Sequence, residues 1–224
     1  MGRLPSPARR HPIETRTVRF DPGATSAFPA GEIAEALLAG AVAAYPTETF
    51  YALGAAAFSA KAVDRIFRMK KREASKPLSF IVSDMDMVRE VASSPPPAFP
   101  VLAGEFWPGP LTLVLPAAPG LPDRLLGPGR TIAVRIPPLA WLRALVQELG
   151  EPLTATSANL AGEKEIADPS DAQALFSGQV EIVLDGGPAP GGLPSTIVDL
   201  TRDRPLIVRV GAVPSALIEA LFRS

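Results

Sequence analysis

The sequence predicts a single α/β domain built on a twisted, mostly mixed β-sheet flanked by helices. The first observation is length: 224 residues sit near the usual ~100–200 per domain, enough for one sizeable core. The second is that short runs of Val, Ile, Leu and Thr bounded by Pro, Gly or charge alternate with segments of helical apolar spacing. The third is the irregular order of those runs, which favours a mixed sheet over strict repetition of βαβ units. No internal repeat is present.

Residues 1–14 are rich in Pro and Arg and lack periodicity, which predicts a flexible N-terminal arm ahead of a domain over 15–224. Thr15–Phe20 alternates like a strand. Ile33, Ala34, Leu37 and Leu38 then share one helical face, with Gly40 ending the run. Ala41–Tyr45 reads as a second strand leading into PTETFYALG. Ser59 is placed to N-cap a helix with the stripe Val63, Ile66 and Phe67. Strands follow at Leu78–Val82, Leu111–Leu115, Thr131–Ile136 and Leu153–Thr156, with helices over Asp84–Val91, before Trp107, and over Leu139–Leu149. Val180–Leu184, Ser195–Leu200 and Leu206–Val210 complete the strands, and Pro214–Phe222 closes the chain as a helix with Pro in its first turn.

Composition excludes several chemistries. With no cysteine there is no disulfide framework, Cys-based zinc site or Cys nucleophile. The one histidine, His11, lies in the arm, which argues against a Ser-His-Asp hydrolase or a His-rich metal site. A net charge of −1 is not that of a polycation coating nucleic acid. The longest uncharged stretch, 106–122, is broken repeatedly by proline, and a membrane helix needs about 20 apolar residues. The N-terminus has no apolar h-region. A cytoplasmic protein with no membrane contact is the expectation, and its chemistry must come from carboxylates, hydroxyls, amides, backbone N–H groups and Lys/Arg.

Four segments are candidates for that chemistry. In RIFRMKKREASKP, the cations Arg65, Arg68, Lys70, Lys71, Arg72 and Lys76 outnumber Asp64 and Glu73. Extending the apolar stripe by helical spacing places Lys70 on the face that meets the sheet. Cations complementing a helix C-terminus on a solvated surface are the alternative reading. In LTATSANLAGE, a strand runs into Ser157-Ala158-Asn159, short hydrogen-bonding side chains suited to a phosphate or to an ordinary turn. In PTETFYALG, Thr47 and Thr49 alternate with Glu48 across an extended segment, so both hydroxyls face one side. Arg135, inside the apolar strand TIAVRIP, requires an anionic ligand or a structural carboxylate. Ser195-Thr196 and Arg209 are further late positions. P-loop and Rossmann glycine patterns are absent, so a nucleotide site would be assembled from scattered elements.

Taken together, YPTETFYALG, RIFRMKKREASKPLSF, FWPGPLTLVL, TIAVRIP, PLTATSANLAGE, LDGGP, STIVDL and IVRVG resemble, in order and spacing, the YrdC/TsaC family of L-threonylcarbamoyladenylate synthases. The resemblance runs from about Ala30 to Gly211 and is to the short, single-domain form. It implies a YrdC-like catalytic domain over 15–224 with a basic cleft. It implies a nucleotidyltransferase that converts ATP with Mg2+, L-threonine and bicarbonate as co-substrate into threonylcarbamoyl-AMP and pyrophosphate. A downstream threonylcarbamoyl-transferase complex would then modify tRNA. By motif, Lys70 and Arg72 would be catalytic, and they would bind ATP with Lys76, Thr131, Ser157, Asn159 and Arg209. Thr47, Thr49, Arg135 and Ser195 would bind threonine. No protein metal site is implied, since magnesium would arrive on ATP.

The chain departs from the family pattern at Ala52, where Gly is common, at Pro194, where Glu is common, at Ala161, where Ser is common, and in LSFIVSD, which lacks a histidine. Two other functions compete with the synthase. One is an RNA-binding or ribosome-maturation module that contacts tRNA or double-stranded RNA through the Arg65–Lys76 patch. The other is carbamoyl transfer to a different acceptor on the same fold.

Overall fold

The computed structural model describes residues 13–71, 78–159 and 163–222. Its strands are β1 (Arg16–Arg19), β2 (Ala43–Pro46), β3 (Tyr51–Gly54), β4 (Ser79–Ile81), β5 (Leu111–Pro116), β6 (Thr131–Arg135), β7 (Leu153–Ser157), β8 (Ile182–Asp185), β9 (Thr196–Asp199) and β10 (Leu206–Arg209). Helices are α1 (Ala30–Leu38), α2 (Ala60–Met69), α3 (Met85–Val91), α4 (Ala98–Phe106), α5 (Ala140–Leu149), α6 (Pro169–Phe176) and α7 (Ser215–Ala220). The strands form a ten-stranded sheet in the order β1-β8-β2-β3-β7-β4-β6-β5-β9-β10. Parallel pairs (β1/β8, β2/β8, β4/β6, β5/β9) mingle with antiparallel ones (β2/β3, β3/β7, β4/β7, β5/β6, β9/β10). The sheet is therefore mixed, as the irregular spacing of the strand runs predicts.

The buried side of the sheet is covered by helices whose apolar stripes match their positions. Ile33, Ala34 and Leu37 of α1 and Trp141, Leu142, Leu145 and Val146 of α5 are buried, and the two helices pack on each other. Trp141 anchors an aromatic cluster with Phe20 and Phe28, at centroid distances of 4.7 and 5.1 Å. Each such side chain contributes roughly 1.5–3 kcal/mol by leaving water.

The opposite side is open at its centre. In β7, Thr154 and Thr156 are buried while Ala155 and Ser157 are half-exposed; in β6, Ile132 and Val134 are buried while Thr131 and Ala133 are half-exposed. Pairing register puts Ser79, Ala133 and Ala155 in one row, and paired residues share a face. Small half-exposed side chains thus form the floor at the middle of this face. One step along, the row Leu153, Ile81 and Arg135 is buried.

Two elements the sequence reading did not assign are present, and two expectations, for Leu38 and Ser59, are corrected. YALG is strand β3, buried along its whole length, so it carries no two-sided pattern. The segment 169–176 is helix α6, N-capped by Asp168, whose side chain accepts from Ser170 N, with Pro169 in its first turn. Leu38 is 52% exposed and belongs to the outer face of α1, because the buried arc closes at Leu37. Ser59 occupies the N-cap position of α2 without a side-chain cap bond.

Asp84 is the N-cap of α3: its carboxylate accepts from Asp86 N at 2.9 Å and Met87 N at 3.0 Å, and Ser83 Oγ donates to it at 2.8 Å. The Met87 amide and the Ser83 hydroxyl hold its carboxyl below the usual range. We expect Asp84→Ala to cost about 1 kcal/mol at neutral pH, a fall in Tm of roughly 2–4 °C. A lowered folded pKa gives stability that is full above the ordinary value near ~3.9 and fades as pH falls through the folded value. Melting curves of the two proteins should therefore converge in strong acid; a difference that persists unchanged there would assign the loss to something other than the carboxylate.

Candidate functional site

Lys70 follows the last turn of α2, where it continues the stripe Val63, Ile66 and Phe67, and it is 6% exposed. Its ammonium reaches the end of β7, donating to Ser157 O at 2.8 Å, to Asn159 Oδ1 at 2.7 Å and to Asn159 O. Ser157 Oγ donates to Asn159 Oδ1 at 2.7 Å, and Asn159 Nδ2 donates to Glu163 O at 2.7 Å. The predicted trio of Lys70, Ser157 and Asn159 is therefore one cluster. Beside it opens a hollow of about 500 Å3 lined by Phe50, Asn159, Glu163, Lys164 and Glu165.

The β2–β3 hairpin brings the threonines to the same place, since Ala158 N donates to Tyr51 O at 2.8 Å. Thr47 and Thr49 are buried with their hydroxyls 3.1 Å apart. The segment between them is a tight bend and not extended: Thr47 N and Thr47 Oγ1 both donate to Phe50 O, at 3.0 and 2.7 Å. Thr47 Oγ1 also accepts from the amides of Thr49 and Phe50, each at 3.2 Å. Thr47 is thus engaged in shaping the turn, while Thr49 Oγ1 has only Thr47 as a partner among the described residues.

Arg135 closes β6 with its guanidinium bonded to Glu48, and both side chains are nearly enclosed, at 7% and 11% exposure. Charge requires this in kind: an arginine in an apolar strand needs a carboxylate. Glu48 was not singled out from the sequence, although its place between Thr47 and Thr49 in a quoted segment was a usable signal. Its second oxygen, Oε2, is buried and has no partner among the described residues.

At the end of β9, Ser195 Oγ lies 2.9 Å from Thr112 Oγ1, and Arg209 donates to Ser195 O at 2.8 and 3.0 Å and to Ser195 Oγ at 3.0 Å. Burial pulls the Arg209 pKa down, Glu165 opposes that, and the nearby Arg135 cation adds to it. Arg209 and Ser195, assigned by the resemblance to the nucleotide and threonine sides, form one contact. Thr112, buried in β5, is a missed member; nothing in LTLVLP marks it apart from ordinary strand threonine.

Thr131 shares the floor face of β6 with Arg135 but lies at the other end, its hydroxyl donating to Pro128 O at 3.1 Å. Arg72 and Lys76 lie outside the described residues, as do Ala161 and residues 1–12. In the remaining patch, Arg65 is paired with Glu181 at 2.8 Å and Lys70 is buried, leaving Arg68 and Lys71 exposed. Among the described residues no group of three or more His, Asp or Glu side chains could hold a metal ion, and no helix is long and apolar enough to cross a membrane.

Residues 35–211 match the family Sua5/YciO/YrdC, described as telomere recombination. The chain is 38% identical over 183 residues to the threonylcarbamoyl-AMP synthase of Pyrococcus abyssi, covering 82% of this chain and 54% of that protein. It is 35% identical over 182 residues to the Bacillus subtilis enzyme of the same name, covering 81% and 53%. It thus spans about half the length of these two curated relatives. A putative threonylcarbamoyl-AMP synthase of Mycobacterium tuberculosis is 33% identical, with 82% and 84% covered. Among solved structures, P. abyssi Sua5 complexed with L-threonine superposes with a TM-score of 0.83 at 34% identity, over 92% of this chain and 60% of that one. Escherichia coli YciO superposes at 0.75 with 28% identity, over 89% and 96%. With most of the chain matched by sequence and by fold, the protein belongs to the Sua5/YciO/YrdC family.

Proposed function

We propose that this protein is a nucleotidyltransferase that makes L-threonylcarbamoyl-AMP and pyrophosphate from ATP, L-threonine and bicarbonate or carbon dioxide. The observation that carries the reading is the buried Lys70 bonded to Asn159, itself bonded by Ser157, together with the buried Arg135 bonded to Glu48, the neighbour of Thr49 in sequence, and Ser195 held by Arg209. The names of the relatives support it, as does the threonine complex of P. abyssi Sua5.

The threonine nitrogen, once its ammonium has given a proton to solvent, bonds to the carbon of bicarbonate or carbon dioxide, with water leaving when bicarbonate is the source and a second proton when carbon dioxide is. A carbamate oxygen then bonds to the α-phosphorus, and the bond from that phosphorus to the β-phosphate bridge breaks as pyrophosphate departs. Negative charge gathers at each stage, so catalysis rests on positioning and fixed cations. Lys70, with Arg72 and Lys76, holds the phosphates, Ser157, Asn159, Thr131 and Arg209 hold the rest of the nucleotide, and magnesium enters with ATP. Arg135 receives the threonine carboxylate, Ser195 assists it, and Thr49 beside Thr47 meets the substrate hydroxyl. Downstream, a transferase complex in the cytoplasm takes the threonylcarbamoyl group to tRNA.

The test is pyrophosphate release from ATP and bicarbonate with L-threonine, L-serine or no amino acid. Release should depend on the amino acid and favour threonine over serine by roughly 10-fold or more, the discrimination a single methyl group allows. Release that ignores threonine would instead favour carbamoyl transfer to another acceptor. No release, together with ATP-independent RNA binding that weakens steeply with salt, would favour the RNA-binding module.

A further inference from the structure

The feature the reaction has not yet used is the free oxygen of Glu48. A buried carboxylate oxygen without a donor is rare in native proteins, because it has lost water and gained nothing in exchange. Glu48 Oε1 is held by Arg135, Oε2 has no partner among the described residues, and the side chain is 11% exposed. The Arg135 guanidinium makes no other hydrogen bond among the described residues, so the rest of its N–H fork is available to an anion. Side by side, then, stand a carboxylate with one oxygen to spare and a guanidinium with N–H groups to spare.

That arrangement is the mirror of an amino-acid zwitterion, whose ammonium and carboxylate flank a single carbon. Building on the threonine reading above, we propose that Glu48 accepts the α-ammonium group of the amino-acid substrate on Oε2 while fixing Arg135 for its carboxylate. The last torsion of a glutamate is soft, so a small rotation of the carboxyl presents Oε2 to the cleft. Thr49, the next hydroxyl along the same turn, is then placed beside the substrate side chain. The pair selects for an amine at the α-carbon, the atom that must later form the carbamate.

The test is calorimetric binding to the full chain of L-threonine and of its analogue 2,3-dihydroxybutanoate, in which a hydroxyl replaces the amine. Wild type should prefer threonine by about 10-fold or more, the size of a charge-assisted contact. Glu48→Gln should lose about that factor for threonine and less than about 3-fold for the analogue, since the amide keeps an oxygen for Arg135 but no charge for the ammonium. Glu48→Asp, which keeps the charge, should retain the preference for the amine. Equal loss of both ligands in Glu48→Gln would show that Glu48 acts only through Arg135, and no loss of either would remove it from the site; each result overturns the proposal. Wild type that binds neither ligand would overturn the threonine reading itself, an outcome visible before any variant is made.

Discussion

Lys70→Ala should lower threonine-dependent pyrophosphate release by about 100-fold or more, the usual effect of deleting one fixed donor at a developing charge. The side chain is 6% exposed and its ammonium is already directed to the end of β7 by Ser157 O and the two oxygens of Asn159. Desolvation and orientation are thus complete before substrate arrives, which is what makes a cation effective in stabilising phosphate charge. Lys70→Arg should rescue little, because a planar fork cannot occupy the position of a compact ammonium. On the proposed reaction the loss should fall on kcat more than on the Km for threonine, since the negative charge that Lys70 would meet grows as pyrophosphate departs. Steady-state kinetics on folded protein check this; activity within about threefold of wild type would leave Lys70 as an anchor for the Asn159 loop and nothing more.

Gly54→Ala should be the most destabilising small substitution in the sheet. A Cβ at Gly54 would lie 2.1 Å from Thr154 O and 2.7 Å from a ring carbon of Tyr45, far inside contact distance. Tyr45 cannot move aside, being fully buried with its hydroxyl donating to Thr154 O at 2.9 Å. The oxygen is backbone, locked where Thr154 also bonds Ala55 N at 2.9 Å. Relief requires β3 and β7 to separate, at a cost of about 3 kcal/mol or more, or roughly 6–12 °C in Tm. Gly31 and Gly104, where a Cβ meets nothing within 4 Å, lie in helices, so alanine there should raise stability by about 0.5–1 kcal/mol. A thermal melt that fails to separate Gly54→Ala from those two controls would show that β3 and β7 can part cheaply.

Legibility in the sequence followed the physics of each element. Strands with apolar β-branched residues, such as β5, β6 and β8, were readable because short runs ended at Pro, Gly or charge. β3 was not, because Tyr51-Ala-Leu-Gly is buried throughout and two of its four residues have weak strand preference. α6 carried a usable start signal in Asp168-Pro169-Ser170, masked by a low apolar content. At the site, Lys70 was reachable from helical spacing alone, and Ser157 with Asn159 from the strand end. Glu48 was half reachable: Arg135 demanded a carboxylate, but only folding the hairpin selects which one. Thr112 and the contact of Ser195 with Arg209 depend on the β5, β9 and β10 pairings, which no local pattern encodes.

The pairing of β1 with β8 sets an order of events during synthesis. Arg16 aligns with Ile182 and Arg19 with Asp185, and β2 also relies on β8. β1 therefore waits for this partner until residue 185 has been joined, an interval of roughly 10–30 s at typical translation rates. During that time its hydrogen-bonding edge is unfilled, so this side of the sheet is completed only once β8 has been made.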